Sequence, residues 1–115
     1  MRIERELMRG AGPVAALQLL EKRAMYGYEL VEALAQRTDG VLAMGQSTLY
    51  PLLYNLEAKK LIRGEWRESE SGRQRKYYAL TRKGFTRLNA DRKQWRDLVG
   101  AMRALGLLGP RSTQR

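Results

Sequence analysis

The stretch "GQSTLYPLLYNLEAKKLI", Gly45 to Ile62, decides the fold. Leu49, Leu52, Leu53 and Leu56 follow the i, i+3, i+4 spacing that gathers apolar side chains on one face of an α-helix, and Ile62 extends the run. Between them stand Tyr50, Pro51, Tyr54 and Asn55, which a helix wrapped entirely in core would not carry. The leucines are therefore expected to serve the protein's own core, and the residues between them something outside it. Pro51 falls within about the first two turns, where a missing N–H donor costs less than in mid-helix. Either Gly45 or Ser47 can cap this helix, so its first residue is fixed only to within about two positions.

Two more helices are expected upstream. "IERELMRGAGPVAALQLLEKR" carries Ile3, Leu7, Val14, Leu17 and Leu20 around a Gly10-Ala11-Gly12-Pro13 soft spot. Proline suits a first helical turn, so helix is expected from about Pro13, with helix before it left open. "GYELVEALAQRTDG" places Leu30, Val31 and Leu34 on one face and stops at Asp39-Gly40.

Downstream the period changes from helical to alternating. "LIRGEWRE" puts Ile62, Gly64 and Trp66 on one side of an extended segment. After "SESG", "RQRKYYALT" puts Lys76, Tyr78 and Leu80 on one side, Arg75, Tyr77 and Ala79 on the other, which reads as a β-hairpin. Thr81 is placed to cap a long final helix. In that helix Leu88, Trp95 and Met102 recur every seven residues, Leu98 and Leu105 fill the second seam position, and Asp91 alone breaks the pattern. These five apolar residues are the expected dimer interface.

Composition narrows the chemistry. The 115 residues make one domain's worth of chain, and 43% hydrophobic with 30% charged residues is the balance of a folding globular protein. With no cysteine and no histidine, disulfides, Cys/His zinc sites, thiol nucleophiles and an imidazole base are all excluded. No phosphate-loop glycine run, metal-ligand cluster or Ser/His/Asp set is present, so neither catalysis nor a cofactor is expected. There is no signal peptide or membrane-length apolar run, and the expected place is the cytoplasm, at the nucleoid. Against 12 acidic residues stand 22 Lys and Arg, a net charge of +10, which calls for a polyanionic partner. The charge is uneven: residues 61–96 hold 11 basic residues and 4 acidic ones.

Three short helices followed by a basic hairpin is the order of a winged helix-turn-helix, whose third helix enters the DNA major groove while the wing meets the backbone or minor groove. The runs "YGYEL" (Tyr26 to Leu30), "STLYPLLYNLEAKKLI" (Ser47 to Ile62) and "GRQRKYYALTRKG" (Gly72 to Gly84) together resemble the PadR family of bacterial transcriptional regulators, from about Val14 to Trp95. The resemblance implies a homodimeric repressor whose single C-terminal helix supplies most of the dimer contact, as in the compact subgroup. In multidrug-binding members of that subgroup a tryptophan on this helix lines a flat pore at the dimer centre. Trp95 takes the matching place, and Leu7, Val14, Leu98 and Val99 match apolar positions of the pore. Where those members carry an acidic residue one turn beyond the tryptophan, this chain has Val99, with Asp97 nearby, so cationic ligands are not implied.

The expected class is thus α+β and mostly α. Residues 1–81 form the DNA-binding domain with its N-terminal helical extension, 82–108 the dimerisation helix and 109–115 a disordered tail. Expected DNA contacts are Tyr28, Gln46, Ser47, Thr48, Tyr50, Pro51, Tyr54, Asn55 and Lys59, with Arg73, Arg75 and Lys76 on the wing. Gln and Asn suit adenine edges, Ser and Thr bases or phosphate, Tyr hydroxyls phosphate. Tyr28 either offers its helix start to a phosphate or is a half-buried packing residue. Trp95 is either interface packing or half of a slot for a planar aromatic molecule facing its own copy. The partners are a double-stranded DNA operator, a second copy and that aromatic effector, with no membrane. The competing reading is a protein that binds nucleic acid without regard to sequence and without an effector.

Overall fold

The computed structural model describes residues 1–109. The tail expected over 109–115 lies, apart from Gly109, outside them. Helix α1 spans Arg5–Leu19, strand β1 Met25–Tyr26, helix α2 Gly27–Gln36 and helix α3 Gln46–Ala58. Strands β2, Ile62–Glu68, and β3, Gln74–Leu80, precede helix α4, Arg82–Ala104. The expected winged helix-turn-helix with its long final helix is therefore present.

The start of α1 differs from expectation. The helix runs unbroken through Gly10 to Pro13 instead of beginning there. Close packing explains why glycine stands in this run: Gly12 is buried, and a Cβ on it would meet Leu52 at 3.1 Å. The soft spot is the place where α1 comes near α3.

Leu17, Leu30, Leu34, Leu49, Leu53, Ile62 and Leu88 are fully buried and join the three N-terminal helices, the sheet and the start of α4 in one core. Leu52 packs against it half-buried. Among the described residues no charged or polar side chain is fully buried. The hairpin pairs Ile62 with Leu80, Gly64 with Tyr78 and Trp66 with Lys76, so the alternation read from sequence holds in register. A third strand joins it: β1 pairs antiparallel with β3, Met25 with Tyr78 and Tyr26 with Tyr77, in the order β1-β3-β2.

Helix ends follow local rules. Gly45 is the N-cap of α3 and Ser47 lies within the helix. At its other end Lys60 takes φ +65°, its N–H reaching the Glu57 carbonyl and that of Leu61 the Leu56 carbonyl. That is the left-handed C-terminal motif, usually built on glycine. Thr81 caps α4 as expected, its hydroxyl accepting from Gly84 N–H at 3.0 Å. Helix α4 ends at Ala104, short of the expected 108, because Gly106 turns to φ +85° and Leu107 N–H bonds back to the Met102 carbonyl.

The chain ties α4 to the body at two places. At its start, the Thr81 hydroxyl also donates to the Lys60 carbonyl and Lys83 Nζ to the Lys59 carbonyl, so α4 begins on the end of α3. A Cβ on Gly84 would lie 2.0 Å from the Leu61 carbonyl oxygen, which enforces glycine there. Farther along, the Arg92 guanidinium donates to Glu21 Oε1 and to Gln18 Oε1 at the end of α1. That guanidinium holds the Glu21 carboxyl below its ordinary range, against a smaller opposing effect of burial.

Candidate nucleic-acid interface

With Leu49, Leu53 and Leu56 turned into the core, the 100° step per residue of an α-helix sends Ser47, Pro51, Tyr54 and Ala58 to the opposite side of α3. All four are exposed, Tyr54 by 73%. Pro51 therefore falls on the outer surface in the second turn, and its absent N–H leaves no donor stranded inside the core. This outward ridge separates two flanks that the sequence could not distinguish.

The first flank faces the wing. Gln46 and Tyr50 join Tyr26, Gly27, Tyr28, Trp66, Arg73, Gln74, Arg75, Lys76 and Tyr78 around an open groove of about 800 Å³. Three cations line it, and no carboxylate does. Tyr50 leans on the start of α2, where a Cβ on Gly27 would meet its hydroxyl at 2.5 Å. Its ring is thus held against α2 and remains partly exposed. Tyr26 is half-buried and Tyr28 exposed beside it, at the N-terminus of α2. Glu29 closes that end by accepting from Tyr26 N–H at 3.1 Å.

The wing cations differ in freedom. Arg73 follows the turn at Gly72, φ +84°, and its side chain makes no hydrogen bond or ion pair among the described residues. The Arg75 guanidinium lies 4.3 Å over the Tyr26 ring, and Tyr26 packs edge-on against Tyr77 at 5.3 Å. Arg75 is therefore anchored to the body while keeping its charge at the groove. Lys76 does not extend freely from the hairpin as its place in the sequence implies. Its Nζ pairs with Glu57 Oε1 of α3 at 3.1 Å and lies 5.4 Å over Tyr78. Burial pushes the Tyr78 hydroxyl up, with Lys76 opposing.

The second flank faces α1 and α4. Thr48, Asn55 and Lys59 line a cleft of about 650 Å³ together with Val14, Leu17, Leu52 and Trp95. Sequence reasoning grouped these three polar residues with Gln46 and Tyr50, but α3 turns them to its other side.

On α4 the expected seam divides. Leu88 is 0% exposed inside the chain's own core, so it has no surface left for a second copy. The expectation of Leu88 at the interface is corrected accordingly. Trp95, Leu98 and Leu105 stay exposed, by 39%, 44% and 81%, Leu7 of α1 is also exposed, and Val99 and Met102 are half-covered. Asp91, the break in the seam, pairs with Arg87 at 3.1 Å. Among the described residues no group of carboxylates could hold a metal ion, and no helix is long and apolar enough to cross a membrane.

Sequence reasoning missed Trp66 and Gln74 among the groove's lining residues, and Glu57, which acts on the groove through Lys76. The alternation at Ile62, Gly64 and Trp66 was a sufficient signal to place Trp66 on the groove side. Nothing local to Glu57 pointed to its partner 19 positions away.

Known proteins agree with this architecture. The model of the transcriptional regulator PadR-like family matches residues 16–90. A Streptococcus transcriptional regulator of known structure is 34% identical, with a TM-score of 0.79, the match covering 89% of this chain and 98% of that one. A PadR family regulator from Eggerthella lenta is 35% identical over 87% of this chain and 85% of its own, with a TM-score of 0.75. Bacillus subtilis PadR, solved in complex with operator DNA, shares the fold at 24% identity and a TM-score of 0.64; the match covers 70% of this chain and 46% of that longer one.

Proposed function

Since this chain belongs to the PadR-like family of transcriptional regulators, we propose that it works as a homodimeric repressor on a pseudo-palindromic operator. The observation that carries the reading is the exposed ridge of α3, lying beside a groove that has three cations and no carboxylate. An α-helix fits the major groove, and phosphates fit Arg73 and Arg75 beside it. Ser47, Pro51 and Tyr54 enter the groove. Gln46 reaches bases from the wing side, Thr48 and Asn55 from the other, while Tyr28, Tyr50, Lys59 and Arg75 fix the register on phosphates.

Two copies joined through α4 present two recognition helices, and half-sites then lie about one helical turn apart or a little more. Trp95, Leu98, Met102 and Leu105 form the joint, since an apolar stripe of this size on one helix is covered by a partner helix. A planar aromatic molecule at the dimer centre, between Leu7, Val14, Trp95, Leu98 and Val99, would favour a dimer shape whose helices are wrongly spaced for the operator. Release needs that ligand to discriminate between shapes by ~1–3 kcal/mol.

The test is the salt dependence of binding. Arg73→Ala should weaken binding to every duplex and lower the slope of log K against log salt by about 0.9, the value for one phosphate contact. An unchanged slope removes the wing tip from the contact surface.

A further inference from the structure

Lys76, which lines the wing-side groove, pairs with Glu57 of α3, and three features of the pair set Lys76 apart from a free surface cation. Each partner side chain is about one-third exposed, 33% and 32%. The same Glu57 carboxylate also accepts from the backbone N–H of Gly64 at 3.2 Å, so α3 holds both strands of the wing at once. Finally, the Lys76 stem runs through the space that a side chain at position 64 would fill: a Cβ on Gly64 would lie 2.2 Å from Lys76 Cε. The backbone at Gly64 does not take a positive φ, so this mid-strand glycine is explained by the lysine arm that crosses it.

An exposed lysine beside a DNA groove ordinarily adds a phosphate contact, which raises affinity for all sequences alike. Here the ammonium is held by a carboxylate, packed over Tyr78 and sheltered by the missing side chain. We propose that Glu57 is a specificity-determining residue: by holding Lys76 it keeps one wing cation off the DNA backbone, and by binding Gly64 it fixes the wing angle against the recognition helix. The inference rests on the DNA-binding reading above. It places Lys76 outside the set of phosphate contacts and gives Glu57 two effects, less affinity for arbitrary DNA and a defined wing position.

Fluorescence anisotropy on two duplexes across a salt series tests it, one duplex enriched from a random pool and one its scrambled version. Glu57→Gln should bind the scrambled duplex several-fold more tightly at low salt, steepen its salt slope by about 0.9 and reduce the preference for the enriched duplex. Lys76→Met alone should leave the wild-type slope unchanged, and Glu57→Gln combined with Lys76→Met should restore it. Gly64→Ala, which expels the lysine arm while leaving the carboxylate, should steepen the slope as Glu57→Gln does, and it serves should Glu57→Gln fail to fold. The proposal is overturned if Glu57→Gln keeps the wild-type slope, if the double variant stays steep, or if Lys76→Met lowers the slope by about 0.9. A wild-type protein with no preference for any duplex defeats the regulator reading instead, a result visible before any variant is made.

Discussion

The two ends of helix α4 contrast sharply. Up to Leu88 the helix belongs to the DNA-binding body: Thr81 and Lys83 hold it to the end of α3, Gly84 lies against the Leu61 carbonyl and Leu88 is fully buried. From Trp95 onward the same seven-residue repeat continues with only partial cover among the described residues, and Trp95, Leu98 and Leu105 are exposed. The repeat is one pattern whose two ends meet different surroundings. A helix of 23 residues is about 34 Å long, more than the body can cover. Periodicity says which face of a helix is apolar, and only the fold says what lies against each turn of it.

The contrast predicts unequal effects from similar changes. Leu53→Ala, in the body, should cost about 3 kcal/mol of unfolding free energy, by lost burial plus the cavity left behind, measured by denaturant titration. A loss below about 1 kcal/mol would mean that the core does not close around α3. Leu98→Glu, on the exposed end, should leave helical circular dichroism intact and cost the isolated monomer no more than about 0.5 kcal/mol, any further loss scaling with protein concentration as the dimer is lost. It should nonetheless turn the sedimenting species from dimer to monomer, and a persistent dimer would place the joint elsewhere. The smallest effect belongs to the boundary between the two ends. Glu21, paired with Arg92, has its folded-state pKa depressed, so its contribution is present above the ordinary carboxylate pKa and fades as pH falls below it. Melting temperature should therefore decline on acidification below about pH 4.5, and Glu21→Gln should flatten that decline. An identical pH profile in the variant would remove Arg92 from the attachment of α4.

Much of this was legible in the sequence. The leucines of α3 separated core from outward ridge, and the alternation in β2 and β3 fixed the faces of the wing in the register observed. Thr81 announced its helix. The parts that were not legible share a cause, which is contact between segments distant in the chain. Strand β1 is two residues long, too short to show alternation, and exists because β3 has an open edge beside it. Helix α1 runs through Pro13 and meets Leu52 of α3 at Gly12, a contact between segments some 40 positions apart. The two flanks of α3 acquire different surroundings only when the wing lies on one side and α1 with α4 on the other. Lys76 looked like another wing cation until Glu57, on another element, came within reach. Gly64 was the single trace of that pair in the sequence, an unexplained glycine in mid-strand.

Selection of bound sequences from a random pool of DNA duplexes tests the central claim most directly. A dimer that reads DNA through the outer ridge of α3 should enrich two inverted half-sites about one helical turn apart or slightly more, with Ser47→Ala or Gln46→Ala relaxing the preference at particular positions within each half. A pool that emerges without a motif, or with one unrepeated half-site, would contradict it.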